Sequence, residues 1–444
     1  MRRKVVISTA GSLGDLNPFI ALALELKARG YEPLIASQQE FRDKIEAEKI
    51  AFHPLRPGVE DVKGELGIDE QTIFRKATNG SSGLPFVVRR IAMPFLRRAY
   101  EDMMSATQGA SLVVTHPSAF AARLAAENRG LLWMSAVLAP FGLMSSNDPP
   151  VLSTAPGLAF LRELTRARSD AALLGVVKKV LDPWTAPFQQ LRRELGLPPV
   201  INPLFEGQFS PYGTLALYSR WMGELQPDYP VNCDITGFVY YDRPPGAPNE
   251  LPEDMKQFLA AGPPPLVFTL GTALVNDPGD FYERSLKTAK LLGRRAVFLG
   301  LDKDSPEQAD RLRRSLPDTV FAAGYVPHSL VFPHAEAIVH HGGVGTTAQA
   351  LRAGKPQLIT PFAGDQPDNA MRMCRLGVAR QLNPNAYTPR RAAAELAELT
   401  SDRPLIRRAG EIGRSVAAER GAEVAADLIE QMLQDRTPQR RAGA

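Results

Sequence analysis

Short apolar runs alternate with longer stretches in which apolar residues recur at helical spacing. The pattern predicts strands over residues 5–8, 32–36, 112–115 and 132–137. Helices are expected between them over 18–29, 41–48 and 119–128, the first stopped by Gly30. This βαβα rhythm implies a parallel, doubly wound sheet. Two apolar, Pro/Gly-punctuated segments interrupt it, at about 58–110 and 140–190, and insertions of that kind line binding clefts. Residues 226–252 hold six prolines in 27 positions, which excludes a regular helix or a central strand and reads as a linker. The rhythm then restarts, with strands over 265–270, 296–300, 320–322, 337–339 and 357–360 and helices over 281–292, 307–315 and 346–353. A last amphipathic helix is expected over 414–433, then a frayed tail.

The expected fold class is α/β: two doubly wound, Rossmann-like domains facing a central cleft. Their boundaries are 1–225 for the first, 226–252 for the linker, 253–413 for the second and 414–444 for the last helix and tail. Ligands of such sheets bind at the strand carboxyl ends.

Composition sharpens this only in places. A chain of 444 residues is too long for one ordinary core. With 44% apolar and 23% charged residues it is an ordinary globular sequence. A net charge of +4 is mild for this length and gives no argument for nucleic acid. The paired arginines read as solvated helix faces. A minority reading sets the pairs Arg89-Arg90 and Arg97-Arg98, among Phe86, Ile91 and Phe95, on an anionic membrane as a weak peripheral contact. Cys233 and Cys374 are far apart, so neither a disulfide framework nor a metal cluster is expected and a reducing, cytoplasmic setting fits. The basic start is followed by an apolar run too short for a signal peptide, and no run approaches a membrane span. Oligomeric state is left open.

Four stretches carry candidate chemistry. A-G-S-L-G-D-L-N-P-F-I, residues 10–20, is a glycine-rich turn between strand and helix, yet it holds a carboxylate, Asp15, where a phosphate would be repelled. Asp15 could cap the helix. Asn17-Pro18 reads as the better cap and first-turn pair, which leaves Asp15 free at a strand end. V-H-H-G-G-V-G-T-T-A-Q-A-L-R-A-G-K-P, residues 339–356, reads as strand, glycine loop and helix. Gly342, Gly343 and Gly345 allow close backbone approach, Thr346 and Thr347 open the helix, and His341 can donate to a phosphate oxygen. T-P-F-A-G-D-Q-P-D-N, residues 360–369, sets Asp365 beside Gln366, a carboxylate and amide suited to paired hydroxyls, or else a turn before Pro367. G-Y-V-P-H, residues 324–328, offers Tyr325 and exposed backbone to a flat base. Leu270-Gly271-Thr272 ends the first strand of the second half as a phosphate-side loop, and His116, in V-V-T-H-P-S, follows another strand end as a reserve base, an acceptor contact or a loop histidine. Asp302-Lys303-Asp304 looks like a metal-binding carboxylate pair but reads as a surface loop.

In order and spacing, G-Y-V-P-H, H-H-G-G-V-G-T-T and P-F-A-G-D-Q resemble the donor signature of family-1 glycosyltransferases, nearest to bacterial and fungal members such as the sterol glucosyltransferases and rhamnosyltransferases. G-S-L-G-D-L-N-P-F-I-A-L-A is similar to the first loop of the same subgroup. The resemblance implies a GT-B fold, with the acceptor in the first domain and a UDP- or dTDP-sugar in the second. By that likeness Tyr325 stacks on the base, Val326 meets it through its backbone, and His341, Gly343, Gly345 and Thr346 hold the pyrophosphate, with Gly14 and Thr272 beside the donor. Asp365 and Gln366 bind sugar hydroxyls, while Ser12, His116, Phe86 and Phe141 belong to the acceptor side. Gln349 stands where many relatives carry a ribose-binding glutamate, so the charge-assisted contact is lost. The implied reaction inverts the sugar: Asp15 takes the acceptor proton, and the leaving diphosphate is stabilised by protein groups without a metal.

Three rivals remain at this stage. A nucleotide-sugar epimerase shares the GT-B shape but has no use for apolar insertions. A dinucleotide oxidoreductase would want G-x-G-x-x-G, which the first loop lacks. A catalytically silent sugar-nucleotide-binding partner would not need Asp15. The apolar residues Phe86, Ile91, Phe95, Phe141, Leu143, Met144 and Phe160 suggest a hydrophobic small-molecule acceptor, and neither it nor the sugar is named by the sequence.

Overall fold

The structure is a computed structural model and describes residues 3–80, 82–151, 175, 178–243, 250–271, 279–301 and 316–435. The chain divides into two compact units. The first takes in the chain up to Tyr241, apart from a short piece at 78–80, and again from Arg420 on; the second runs from Asp242 to Glu419 with that short piece.

The first unit is built on β1 (Lys4–Ser8), β2 (Glu32–Ser37), β3 (Ala51–Pro54), β4 (Ala110–Thr115), β5 (Leu132–Val137), β6 (Thr214–Ala216) and β7 (Cys233–Ile235). They form a sheet in the order β3-β2-β1-β4-β5-β6-β7, every pair parallel. Val5, Val6 and Ile7 are wholly buried, as both faces of a parallel sheet require. The helix Leu13–Ala28 lays Leu16, Phe19, Ile20, Leu22, Ala23 and Leu26 against the core.

The second unit repeats the plan with β8 (Leu266–Thr269), β9 (Ala296–Leu299), β10 (Val320–Ala323), β11 (Ala337–His340), β12 (Gln357–Ile359) and β13 (Ala379–Gln381). Its order is β10-β9-β8-β11-β12-β13, again parallel. Phe268 and Phe298 meet edge to face in its core, with centroids 5.4 Å apart.

Four expectations need correction. The segment read as a linker holds the edge strand β7, which is short enough to lie between the prolines. The boundary falls at Tyr241, whose phenol donates to Glu48 Oε1 at 2.7 Å, and Asp242, whose carboxylate accepts the Ser329 amide at 2.8 Å. The single last helix is two, Arg403–Ala417 and Gly421–Asp435. Glycines set where each packs. A Cβ on Gly413 would lie 2.4 Å from Gly354 Cα, and one on Gly421 would lie 2.3 Å from the Phe238 carbonyl oxygen. The last helix belongs to the first unit, where Arg29 donates to Asp427 at 2.5 Å and Glu430 at 2.9 Å.

Residues 58–110 are largely helical, with helices Val59–Leu66, Glu70–Ala77, Gly83–Phe86 and Leu96–Ala106 and a π-helical turn Val87–Ala92. Phe95 and Leu143 are core residues, not lining of an open pocket. Three of the four arginines of the membrane reading are engaged: Arg97 pairs with Glu194, Arg98 lies over Phe95, and Arg89 over Trp184. No helix among the described residues is long and apolar enough to cross a membrane. Phe160 and the helix expected over 307–315 lie outside the described residues.

Candidate functional site

Each sheet has one place where neighbouring strands send their chains off in opposite directions, between β1 and β4 in the first and between β8 and β11 in the second. The crevice outside the strand ends at such a switch is where open α/β sheets hold ligands. Asp15 and His116 lie at the first, and His341 with its glycine loop at the second.

At the first switch, β1 ends at Ser8 and the chain turns through Gly11, at φ 136°, into the helix Leu13–Ala28. A side chain at Gly11 would put its Cβ 2.4 Å from Asp15 Oδ2. Asp15 is not free, as had been expected from Asn17-Pro18. The helix starts five residues before Pro18, with Ser12 as its N-cap in a capping box with Asp15. The Ser12 amide and hydroxyl both donate to Asp15 Oδ2, at 2.7 and 2.9 Å, and Ser12 Oγ accepts the Gly14 amide at 3.1 Å. Two satisfied donors outweigh the one backbone N–H that Pro18 lacks inside the helix. Ser12 thus holds Oδ2 of the Asp15 carboxylate and Gly14 holds the Ser12 hydroxyl, with Oδ1 the oxygen turned away from the cap.

His116 follows β4, with its amide bonded to the Ser8 carbonyl at 2.9 Å. Its Nε2 lies 4.0 Å from Asp15 Oδ1, its ring stands edge-on to Phe19 at 5.7 Å, and its Nδ1 is 2.6 Å from Ser118 Oγ. Burial holds the imidazole below its ordinary pKa, while the Asp15 charge pulls the other way. Phe86 ends a short helix under Lys76, whose ammonium is 5.8 Å from the ring, and Phe141 sits on the turn after β5. Both are half-buried. The loop after that turn is tied down by Asp228, which accepts from Ser145 Oγ, the Ser146 amide and Ser146 Oγ at 2.6, 2.6 and 2.7 Å.

At the second switch, β11 runs into His340, His341 and the glycine loop. His340 is structural: its Nε2–H donates to Gln357 Oε1 at 2.9 Å and its Nδ1 accepts the Gly342 amide at 3.1 Å. His341 is placed differently. Its ring is pressed between two glycines, since a Cβ on Gly271 or on Gly343 would each lie 2.3 Å from a ring atom. It is 5% exposed, and its Nδ1 has no hydrogen-bond partner among the described residues. Burial first, then the neighbouring His340 and His328, depress its pKa to about 3, so it is neutral at pH 7 and offers one N–H.

The helix Val344–Arg352 starts with Gly343 as its cap residue and no side-chain cap. Its first amide N–H groups are left for a ligand or solvent. Thr346, Thr347 and Gln349 are buried along it, with Thr347 Oγ1 and Gln349 Oε1 unpartnered among the described residues. Gly345 lies inside the first turn rather than in the loop, and a Cβ there would meet open space. The turn is held from below by Asn369, whose amide donates to the Gly342 carbonyl at 2.9 Å and to Asp365 Oδ2 at 2.7 Å. Gln366 Oε1 accepts the Phe362 and Ala363 amides at 2.8 and 3.2 Å, which leaves its NH₂ as the end able to meet a sugar hydroxyl.

Tyr325 is exposed, its phenol bonded to the Asp242 carbonyl, while the Val326 side chain is core. Thr272 and Asp302-Lys303-Asp304 lie outside the described residues. Among the described residues no three His, Cys, Asp or Glu side chains converge as a metal site. Sequence reasoning gave no role to Asn369, which follows Asp365 at helical i,i+4 spacing, or to Ser118, which follows His116 by two. Gly271 was read in the phosphate-side loop, but it faces His341 only through β8–β11 pairing.

Comparison with known proteins bears on both units. Residues 5–137 match the glycosyltransferase family 28 N-terminal domain, and residues 301–431 match the erythromycin biosynthesis protein CIII-like C-terminal domain. The chain is 29% identical to the O-mycaminosyltylonolide 6-deoxyallosyltransferase of Streptomyces fradiae over 98% of each chain. It is also 29% identical to glycosyltransferase GtfE of Amycolatopsis orientalis, covering 96% of this chain and 97% of that one. Its fold is that of glycosyltransferase VinC, solved in complex with dTDP, with a TM-score of 0.66 at 21% identity over 97% of this chain and 100% of VinC. Two parallel α/β units, each with its ligand crevice, and matches along both of them agree: this chain is a glycosyltransferase and belongs to the family-1 enzymes of GT-B fold.

Proposed function

We propose that the protein transfers a hexose from a UDP- or dTDP-sugar to a hydroxyl of a hydrophobic small molecule, with inversion and without a metal. One observation carries the donor half: a neutral, buried His341 with an unpaired Nδ1 beside an uncapped helix N-terminus. A buried polar atom without a partner costs about 1–3 kcal/mol, and a diphosphate oxygen at that place would remove the cost. The helix amides and dipole favour the same anion. VinC was solved with dTDP, and the Streptomyces fradiae relative is named for a deoxyhexose transfer, which favours this donor class. Gln349, buried near that helix start, would meet a ribose hydroxyl through its unpaired Oε1, with Tyr325 on the base and Asp365 and Gln366 on the sugar.

In the first unit Asp15 and His116 form the proton-accepting pair for the attacking hydroxyl. The acceptor oxygen attacks the anomeric carbon as its O–H bond breaks, and the diphosphate leaves from the opposite face with the electrons of the bond it gives up. His341 and the helix amides meet the negative charge that develops there. Sterols, polyphenols and macrolides all fit the acceptor class proposed.

Calorimetric titration of UDP, dTDP and NAD into the purified protein, without metal, tests the reading. Binding of UDP or dTDP and not NAD is expected. Binding of NAD alone, or of none of the three, would remove the donor assignment.

A further inference from the structure

We infer that Ser118 is a positioning residue that fixes the tautomer of His116, so that a bare Nε2 rather than an N–H faces Asp15. The inference rests on the reading of Asp15 and His116 as the proton-accepting pair. Ser118 Oγ is 2.5 Å from the Ala10 carbonyl oxygen and 2.6 Å from His116 Nδ1. A serine hydroxyl has one proton. The carbonyl can only accept, so that proton goes to Ala10, and the Ser118 oxygen must accept from His116 Nδ1–H. The Ser118 amide points its N–H at Nδ1 from 3.4 Å, which favours a bare Nδ1, but at the limit of hydrogen-bond length it is the weaker contact and yields to the 2.6 Å one.

A neutral imidazole protonated at Nδ1 carries its lone pair on Nε2, the atom 4.0 Å from Asp15 Oδ1. That gap is too long for a direct hydrogen bond. It suits an acceptor hydroxyl held between the two. In the step itself the acceptor O–H bond breaks, its proton passes to Nε2, and the oxygen's electron pair forms the bond to the anomeric carbon. In the imidazolium that results, Nδ1–H is met by Ser118 and the positive charge is balanced by the Asp15 carboxylate 4.0 Å from Nε2. Burial holds the imidazole neutral until then. Ala10 lies on the loop that leads through Ser12 into the helix turn carrying Asp15, so one hydroxyl ties the turn after β4 to the entry of that helix. The opposite tautomer would point Nε2–H at Asp15 and give the pair a proton before the acceptor arrives.

The test is the protonation state of the His116 ring nitrogens, read from long-range proton–nitrogen NMR of the ¹⁵N-histidine-labelled full chain, with H116Q to assign the signals. The inference expects Nδ1 protonated in the parent, a shift toward Nε2 protonation in S118A, and the parent pattern restored in S118T. Release of UDP or dTDP from UDP-glucose or dTDP-glucose, with water as the acceptor, should fall on the order of tenfold or more in S118A, with diphosphate affinity unchanged. An Nε2–H signal in the parent, or an S118A protein with parent tautomer and parent turnover, overturns the role of Ser118. In that event slow H116Q leaves the proton-accepting pair standing, whereas H116Q at parent rate removes the pair as well.

Discussion

The two units build the same switch point and furnish it oppositely. In both, a strand at the centre of a parallel sheet runs into a glycine turn and then a helix, beside the end of a neighbouring strand. In the first unit the helix is capped by Ser12 and carries a carboxylate in its first turn. In the second it has no side-chain cap and faces a neutral, buried histidine. The cap decides the ligand. Amides already satisfied, with the Asp15 carboxylate beside them, suit the proton-accepting pair proposed for Asp15 and His116 and repel an anion. Unsatisfied amides attract one. On the function proposed, a shared topology supplies one site for a proton and one for a diphosphate.

The sharpest way to break this division is Asp15→Asn. The amide oxygen can still accept from Ser12, so the helix start survives, but the pair loses its charge. Turnover should fall by about 10²–10⁴ while calorimetric donor affinity stays at the parent value. On the other side, Gly343→Ala puts a Cβ 2.3 Å from His341 Nε2 and must move the ring. UDP or dTDP binding should weaken about tenfold or more, equal to about 1.4 kcal/mol, and a Gly343→Ala protein that binds as the parent does would detach His341 from the donor.

A smaller effect separates scaffold from site. Gly413→Ala meets Gly354 Cα at 2.4 Å, far from either set of functional groups in sequence. Overpacking of this kind costs about 1–3 kcal/mol, so thermal unfolding should shift downward with the unfolding of the second unit. The smallest concerns acid. Burial alone would raise the Asp228 pKa, but the hydrogen bonds from Ser145, Asn147 and Ser146 outweigh it and bring it from 3.8 to about 2. A depressed carboxylate stabilises the folded state above its unfolded pKa and loses that contribution as pH falls through the folded value. Melting temperatures of the parent should therefore drop more steeply than those of Asp228→Asn between pH 4 and pH 2, and equal slopes would show that the latch contributes nothing.

The longer elements were legible: the strand 132–137 and the amphipathic helix 281–292 were read with the bounds they have. The strands passed over, β3, β6, β7 and β13, are three or four residues long. Too short to show a period, they are held by neighbours distant in sequence. The start of the first helix was misplaced because Asn17-Pro18 was weighed above Asp15 as a cap, and the S-x-x-D capping box that starts at Ser12 was not read. The chemistry-bearing residues were legible as types at strand ends. Their couplings were not, because His116 meets Asp15 and Gly271 meets His341 only when non-consecutive strands pair. Burial that pushes His341 to a pKa of about 3 likewise has no local signature.

The central claim is that proton acceptance resides at the first switch and diphosphate binding at the second. Calorimetric titration of UDP and dTDP into the parent, Asp15→Asn and His341→Ala proteins, without metal, tests it most directly. The account predicts equal affinity in the parent and Asp15→Asn, and a loss of about tenfold or more in His341→Ala. Equal binding in all three, or a loss confined to Asp15→Asn, would contradict it.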